Sequence, residues 1–324
     1  MKTILVTGGA GFIGSHLTES LLEEGHKVIV VDNLSMGSEN NLPENHKNLI
    51  FIKADISKIE TIDFLFSKYF FDNIFHLGAI ASVAASVKEP LFTHETNLGA
   101  TLKLLEAARK QRNLTRFVFA SSAAVYGDDP ILPKKEESSI VPLTPYAIDK
   151  YASEQYVLSY NKLYNLPTTA LRFFNVFGPR QNPSSPYSGV VSIITEKINK
   201  IRAGEQEKFT IFGDGNQTRD FVYVKDVVRA LLLVGEKEQA TGKVFNVGSG
   251  QAISLIDLLE TYERITHTKV EILKQDKRAG DILHSFADIN SLRSIGFNPK
   301  FDIKLGLKEY WDHEQEKERV IGIT

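Results

Sequence analysis

The segment Thr3–Gly14, with the sequence TILVTGGAGFIG, decides the fold of this chain. Its first part, Thr3–Thr7, is apolar and rich in β-branched residues, which predicts a buried parallel strand. Apolar residues at helical spacing follow in Ser15–Glu24, and a second β-branched run occupies Lys27–Val31. Since a strand, a glycine-rich turn, a helix and a second strand make a βαβ unit, this segment predicts the start of a parallel sheet.

The same alternation continues along the first half of the chain. Further strands are predicted at Leu49–Lys53, Asn73–Leu77, Arg116–Ala120 and Thr168–Phe173. The periodicity of Asn97–Arg112 predicts an amphipathic helix. Repeated strand–helix units predict an α/β fold of the Rossmann type, in which a doubly wound parallel sheet carries helices on both faces.

The second half is less regular and predicts a smaller α/β lobe that binds the substrate. Its patterns predict helices at Val190–Ala203 and Asp226–Gly235 and strands at Lys208–Phe212 and Lys243–Val247. We expect the two lobes to interleave along the chain. The sheet domain is assigned residues 1–174, 220–247 and 286–305, and the second lobe residues 175–219, 248–285 and 306–324.

Composition excludes several classes of protein. The chain has 324 residues, a net charge of −2 and no cysteine, so disulfides, zinc–thiolate sites and cysteine nucleophiles are impossible. The charge balance gives no basic face for nucleic acid, and no metal is expected. No window is apolar enough to span a membrane, and the apolar N-terminus is too short for a secretory signal. We therefore expect a soluble cytoplasmic protein.

The glycines of the first turn predict a dinucleotide site. Gly8, Gly11 and Gly14 follow the spacing G-x-x-G-x-x-G between a strand and a helix, where backbone and helix N–H groups can approach a pyrophosphate. Asp32 ends the second strand, 18 residues after Gly14, where an acid would hold the ribose 2′-hydroxyl. No Arg or Lys occurs in the next five residues, so NAD is favoured over NADP; alternatively, Asp32 only caps a loop. Asp55 and Ile56 are candidates for the adenine edge.

Three further residues predict catalysis. Tyr146 and Lys150 are four residues apart, on one face of a helix that Pro145 would start. A neighbouring ammonium group is expected to lower the pKa of the tyrosine and to make it a proton acceptor. Ser122 follows a predicted strand at the sheet edge where such folds bind ligands. A tyrosine and lysine at this spacing also occur by chance, so the prediction depends on the glycine turn and Ser122 in the same chain.

At this point the sequence resembles the extended short-chain dehydrogenase/reductases that act on nucleotide sugars. The similarity covers nearly the whole chain, in the segments TGGAGFIG (7–14), VDNLS (31–35), AD (54–55), FHLGA (75–79), TN (96–97), FASSAAVYG (119–127), PYAIDKYASE (145–154), LRFFNVFGPRQ (171–181), IFGDGNQTRDFVYVKDV (211–227) and FNVGSG (245–250). The resemblance implies that NAD contacts Gly8, Gly11, Phe12, Ile13, Gly14, Asp32, Asn33, Asp55, Ile56, Leu77, Ala79, Asn97, Tyr146, Lys150 and Phe173. It implies that substrate contacts Ala81, Ser122, Asn175, Gln181, Thr210, Phe212, Arg219, Arg278, Asp281 and Ser285.

Individual positions narrow the reaction that the resemblance implies. The 4,6-dehydratases of this family carry an acid pair after the catalytic serine or threonine, whereas Ser122 is followed by Ala123 and Ala124. The pattern is more similar to UDP-glucose 4-epimerase and its relatives, which oxidise C4 of the sugar, let the 4-keto sugar turn, and reduce it on the other face. By resemblance to that group, Phe212 would lie on the uracil and Asp281 would bind the ribose. Arg219 and Arg278 would bind the diphosphate.

Small side chains near the sugar favour an N-acetylated hexose. Ser285 matches a position where a large tyrosine restricts some relatives to glucose and galactose. At positions 81 and 181, Ala81 and Gln181 resemble the residues of the N-acetylhexosamine epimerases. At position 124, this chain has Ala124 where the glucose-type enzymes have a threonine. The resemblance thus implies UDP-GlcNAc/UDP-GalNAc as substrates, with UDP-Glc/UDP-Gal also accepted. A pocket with room for an N-acetyl group also admits a sugar that lacks it.

Two other functions stay open. The chain could be a 4-epimerase for UDP-glucuronate or a dTDP-deoxysugar, or a non-catalytic sensor of NAD(H). The family further implies a homodimer formed through helices near 98–112 and 146–164. The apolar stripe Leu98, Leu102 and Leu105 equally suits a plain core helix.

Overall fold

The computed structural model describes residues 1–181, 189–276 and 282–321. Its strands are β1 (Thr3–Thr7), β2 (Lys27–Asp32), β3 (Leu49–Lys53), β4 (Asn73–His76), β5 (Arg116–Ser122), β6 (Thr168–Phe173), β7 (Asn175–Phe177), β8 (Lys208–Phe212), β9 (Thr218–Arg219), β10 (Phe221–Tyr223), β11 (Lys243–Val247), β12 (Ile253–Ser254), β13 (Glu271–Gln275) and β14 (His284–Ser285). Its α-helices are α1 (Phe12–Glu23), α2 (Ile59–Lys68), α3 (Val83–Lys88), α4 (Pro90–His94), α5 (Ala100–Ala108), α6 (Pro145–Tyr164), α7 (Val190–Arg202), α8 (Val224–Glu236), α9 (Leu255–Thr266), α10 (Asn290–Arg293) and α11 (Ile303–Ile321).

Seven strands form a central sheet in the order β3-β2-β1-β4-β5-β6-β11. Every neighbouring pair in this sheet is parallel, which confirms the predicted α/β class. The order reverses between β1 and β4, and such a reversal opens a crevice at the carboxyl ends of the strands. The glycine turn after β1 lies at this crevice.

Alternating side chains place the sheet between two apolar layers. In β1, Ile4 and Val6 belong to one core cluster and Leu5 to the other, because successive side chains of a strand point to opposite faces. Helices α1 and α8 contribute to the first cluster, and α2, α5 and α6 to the second. Burying one such leucine stabilises the fold by about 1.5–3 kcal/mol.

A third apolar cluster is formed mainly by elements that follow β6 in the sequence. It includes Phe177, Ile194, Tyr262 and Trp311 from β7, α7, α9 and α11. Phe12 of α1 packs against the same cluster, so the helix that follows the glycine turn contacts both this cluster and the first. Within the described ranges, the structure has no helix with the length and apolar character needed to cross a membrane.

The structure changes two predicted boundaries that concern the site. Strand β5 runs to Ser122 rather than Ala120, so the predicted catalytic serine lies on the strand itself. The helix predicted at Asn97–Arg112 starts upstream with α4, passes through a π-helical segment at Glu95–Gly99, and ends at Ala108. It ends early because the side chain of Gln111 accepts from Phe71 N–H and donates to the carbonyl of Tyr69, which holds the next residues in a loop.

Candidate active site

The glycine turn is shaped for an approaching phosphate. Gly8 has a φ of +68° and donates its N–H to the carbonyl of Val31 over 2.8 Å. A Cβ on Gly14 would lie 2.1 Å from the carbonyl oxygen of Gly8, so only glycine lets α1 begin this close to the turn. Among the described residues, no side chain caps the N-terminus of α1. The first N–H groups of this helix are therefore available to anionic oxygens.

Asp32 is fixed beside this turn. Its Oδ2 accepts the N–H of Ala10 over 3.1 Å, and its Oδ1 accepts the N–H of Leu34 over 2.8 Å. These bonds hold a carboxylate at the end of β2, where its remaining lone pairs suit ribose hydroxyls and its charge would repel a 2′-phosphate. The glycine turn and Asp32 together fit NAD.

The other predicted cofactor residues line the same edge of the sheet or shape it. Leu77 and Ala79 follow β4, and Phe173 ends β6. The amide of Asn97 donates to the carbonyl of Ile80 and accepts its N–H, over 3.1 and 2.8 Å. Asn97 thus fixes the loop after β4 and would act on a cofactor through that loop.

Three residues predicted to contact NAD, Asn33, Asp55 and Ile56, follow strands β2 and β3. Asn33 is exposed after β2, and its Oδ1 accepts Ser35 N–H. Asp55 follows β3, and its carboxylate accepts the N–H of Ser57 over 2.8 Å. The side chain of Ile56 is 7% exposed and belongs to the core, so any contact of Ile56 with adenine would come from its backbone.

Ser122, Tyr146 and Lys150 come together, as predicted. Thr144 caps α6 by accepting Ala147 N–H, which sets Tyr146 in the first turn of the helix. Ser122 ends β5 next to the Tyr146 phenol, and its side chain lowers the pKa of that phenol. Lys150 lies one turn further and donates its Nζ to the carbonyl of Ala120 over 2.8 Å, with the same Nζ 6.0 Å from the centroid of the Tyr146 ring.

Burial decides the ionisation of this group. Burial raises the pKa of Tyr146, and the effect of the Ser122 side chain only partly offsets it. In the protein alone the pKa of Tyr146 is therefore raised rather than lowered as expected, because the effect of burial is the largest. Burial also lowers the pKa of Lys150 to about 8, against the opposing effect of the Asp149 charge.

A neutral histidine lies beneath the site. His76 of β4 is 1% exposed, and burial followed by the charge of Lys150 lowers its pKa to about 3. Its Nδ1 lies 2.7 Å from the Thr7 hydroxyl, and its Nε2 lies 3.0 Å from that of Thr101. His76 therefore joins β1, β4 and α5 without carrying charge at neutral pH.

A buried ion pair behind Ser122 was not predicted. Glu154 is fully buried and binds the Nε and Nη2 of Arg172 over 2.9 and 2.6 Å, while the Ser121 hydroxyl donates to it over 2.8 Å. Burial alone would lower the pKa of Arg172, but Glu154 raises it overall. Arg172 also donates to the hydroxyl of Tyr126. The sequence signal was an arginine inside the apolar strand β6 and a glutamate on the inward face of α6, one turn after Lys150.

Several predicted substrate residues lie on the short strands that follow the central part of the sheet. Arg219 and Ser285 are paired in register between the parallel strands β9 and β14, and Asp220 supports them by accepting N–H groups from Ser249, Gly250 and Ala287. Thr210 and Phe212 lie on β8, which pairs with β13.

The remaining substrate candidates divide into described and undescribed positions. Asn175 is exposed at the start of β7, and Ala81 is exposed just before α3. The side chain of Gln181 packs against Gly189, since its Nε2 would lie only 2.7 Å from a Cβ placed on that glycine. Arg278 and Asp281 lie outside the described residues.

The match to known proteins covers most of the chain. The family model described as "NAD dependent epimerase/dehydratase family" matches residues 4–248. The UDP-glucose 4-epimerase of Mycolicibacterium smegmatis is 38% identical over 311 residues, 95% of this chain and 96% of that protein.

Two solved structures are also similar. The UDP-N-acetylglucosamine 4-epimerase from Methanobrevibacter ruminantium, in complex with UDP-N-acetylmuramic acid, is 40% identical with a TM-score of 0.89, covering 97% of this chain and 99% of that one. The UDP-glucose 4-epimerase from Thermotoga maritima, with UDP-glucose, is 40% identical with a TM-score of 0.90 and the same coverage. With its glycine turn, Asp32 and Ser122–Tyr146–Lys150 in place, the chain belongs to the NAD-dependent epimerase/dehydratase family of short-chain dehydrogenase/reductase enzymes, and its cofactor is NAD.

Proposed function

We propose that this protein catalyses the 4-epimerisation of a UDP-hexose through a transient 4-keto sugar, with UDP-GlcNAc/UDP-GalNAc as the main substrates and UDP-Glc/UDP-Gal also accepted. The observation that carries the proposal is the contact of Ser122 with Tyr146, one helical turn from Lys150. This group lies at the sheet edge that also holds the NAD-binding turn. The residues after Ser122 are alanines, so the site lacks the acid pair that an elimination of water would need.

The chain's own residues would handle the proton. Tyr146 takes the proton of the 4-hydroxyl and later returns it, and Ser122 holds both the sugar oxygen and the phenol. Lys150 contributes a positive charge that favours the phenolate once the phenol is deprotonated. NAD, when bound, supplies the acceptor and donor of the C4 hydride. The buried surroundings of Tyr146 exclude water from the proton transfer.

The pairing of Arg219 with Ser285 supports a nucleotide sugar as substrate. It places a cation suited to a diphosphate beside a small side chain suited to a substituted sugar. We propose that Arg219 and Arg278 bind the diphosphate, Phe212 the uracil, Asn175 the sugar or diphosphate, and Asp281 the ribose. Two similar enzymes, each 40% identical to this chain, are a UDP-N-acetylglucosamine 4-epimerase and a UDP-glucose 4-epimerase. This supports a pocket that accepts both kinds of sugar.

We also propose that the protein forms a homodimer through α4 and α6. The stripe Leu98, Leu102 and Leu105 is partly core, since Leu105 is fully buried. Exposed apolar side chains occur on α4, at Leu91 and Phe92, and on α6, at Ile148 and Leu163. Helices α4 and α6 pack against each other, so these side chains provide an apolar surface for a second copy.

The decisive experiment incubates the purified protein with UDP-GlcNAc, without added NAD, and separates the products by chromatography. Formation of UDP-GalNAc supports the reaction, retained NAD and the N-acetyl substrate together. Conversion of UDP-Glc alone contradicts the substrate but keeps the reaction. The control is Tyr146→Phe, which we expect to slow turnover by at least about 100-fold. No conversion of either sugar, even with NAD added, would contradict the proposed function.

A further inference from the structure

A network of buried polar side chains runs behind the catalytic serine and leads to the strand that carries Ser285. Its members are Glu154, Arg172, Tyr126 and Asn246, and each is at most 3% exposed. Arg172, which binds Glu154, donates from Nη1 to the hydroxyl of Tyr126 over 2.8 Å. That hydroxyl donates in turn to Oδ1 of Asn246 over 2.6 Å. Burial raises the pKa of Tyr126 to about 12, so the phenol keeps the proton that this bond needs.

At its far end the network holds two separate segments of the chain together. Nδ2 of Asn246 donates to the carbonyl of Lys134 over 2.8 Å and to that of Asp288 over 3.3 Å. The backbones of these segments are also joined, because Lys134 N–H donates to the carbonyl of Phe286 and Asp288 N–H donates to the carbonyl of Lys134. Phe286 directly follows Ser285, the last residue of β14. Asn246 therefore fixes the residues that follow Ser285.

At its near end the network reaches both sides of Ser122. The short helical turn Ala123–Tyr126 directly follows Ser122 and ends at the tyrosine of the network. On the other side, the hydroxyl of Ser121 donates to Glu154 over 2.8 Å. The same set of hydrogen bonds thus connects the residues around Ser122 with the segment that follows β14.

The polar character of this connection indicates a role in positioning. Hydrogen bonds restrict both distance and direction, and a fully satisfied buried network specifies one arrangement of the elements that it joins. Within the described part of the chain, every buried side-chain nitrogen and oxygen of the four network residues has a hydrogen-bond partner. The segment after β14 is therefore held in one place relative to β5.

We propose that Tyr126 and Asn246 are positioning residues, which hold the strand that carries Ser285 at a fixed place relative to Ser122. The inference rests on the proposed function, because that function puts Ser122 at the reacting 4-hydroxyl and Ser285 beside the sugar. A nucleotide sugar bound along β9 and β14 would then present its C4 to Tyr146 in a reactive position. A displacement of about 1 Å between a substrate and its catalytic group can cost about 100-fold in rate.

The nucleotide-binding strands should move as one unit when the network is broken. Arg219 on β9 pairs in register with Ser285 on β14, and the next residue, Asp220, accepts the N–H of Ala287 over 3.1 Å. These contacts do not involve the network. We therefore expect a variant of the network to keep its affinity for UDP and to lose rate, because the bound sugar is displaced from the catalytic group.

The test compares Tyr126→Phe and Asn246→Ala with the control Ile62→Val. Tyr126→Phe removes only the bridging hydroxyl, and Asn246→Ala removes both bonds to the carbonyls. Ile62 on α2 is 1% exposed, so its shortening costs stability without touching the network. We expect both network variants to lower kcat for UDP-GlcNAc and UDP-Glc by about 10- to 100-fold and to leave the Kd for UDP unchanged in calorimetry. The control should change neither quantity.

Hydrogen exchange follows the same displacement without turnover. In the protein with NAD bound, mass spectrometry of the peptide that contains Asp288 should show exchange at least about 10-fold faster in Asn246→Ala. We expect a smaller acceleration in Tyr126→Phe and none in Ile62→Val. Tyr126→Phe keeps the aromatic ring in place, so it carries both measurements if circular dichroism shows that Asn246→Ala does not fold.

Three results would overturn the inference. They are an unchanged kcat in the folded network variants, an equal loss of kcat in Ile62→Val, and a Kd for UDP that rises as much as kcat falls. Absence of epimerase activity in the unsubstituted protein would instead contradict the proposed function. In that case the exchange measurement decides alone, and an unchanged rate in the network variants overturns the inference.

Discussion

Replacing Glu154 by glutamine should destabilise the protein strongly, although the two side chains have the same shape. The carboxylate accepts two hydrogen bonds from Arg172 and one from Ser121. Glutamine removes the charge and turns one acceptor into an N–H donor that faces the guanidinium group. Removing one partner of a buried ion pair costs about 3–5 kcal/mol, a large part of a domain stability of about 5–15 kcal/mol.

Urea unfolding of the cofactor-free protein, followed by circular dichroism, measures this loss. The matched control is Glu60→Gln on the exposed face of α2, which we expect to change the free energy of unfolding by less than about 0.5 kcal/mol. The double variant Glu154→Leu, Arg172→Met should lose less than Glu154→Gln, because it leaves no unpaired charge. A loss below about 1 kcal/mol in Glu154→Gln, or a double variant less stable than the single one, would refute the reasoning.

Three further predictions concern the cofactor, the sugar and acid stability. Asp32→Ala should weaken NAD binding by about 10- to 100-fold, measured by calorimetry on protein stripped of cofactor; an unchanged Kd would show that Asp32 only caps a loop. Ser285→Tyr should lower kcat/KM for UDP-GlcNAc by about 100-fold and spare UDP-Glc, whereas equal losses would place Ser285 away from the sugar. The folded-state pKa of His76 is about 3, below its unfolded value of about 6.5, so its contribution to stability is present above pH 6.5 and is lost as pH falls towards 3. Between pH 7 and pH 4 the unfolding free energy should therefore fall by about 3 kcal/mol more than in His76→Gln, and equal slopes in urea unfolding would contradict this.

Local patterns in the sequence predict most of the fold. Strands such as Thr3–Thr7 and Thr168–Phe173 have the predicted bounds, because a strand buried on both faces leaves a continuous apolar run. The helix predicted at Asn97–Arg112 differs from the structure at both ends. Its π-helical segment and its early end depend on contacts with Ile80 and Tyr69, which lie far away in the sequence and leave no local pattern.

The site was predictable where chemistry depends on spacing. Tyr146 and Lys150 are one helical turn apart, and Gly8 and Gly14 mark the turn, so both motifs are visible in the sequence. The pair Glu154–Arg172 and the contact Tyr126–Asn246 join different elements, and only the packing of those elements reveals them. The pKa of Tyr146 escaped prediction for the same reason, since it is set mainly by burial.

The strand order has a consequence for how the chain is made. Strand β11 closes the sheet by pairing with β6, but β7–β10 and their helices lie between them in the sequence. At about 5–20 residues per second on the ribosome, β6 leaves the tunnel several seconds before its partner. During that interval the backbone of Thr168–Phe173 is an open edge that another nascent chain could join. The protection of this edge during synthesis therefore depends on how fast the ribosome completes the intervening segment.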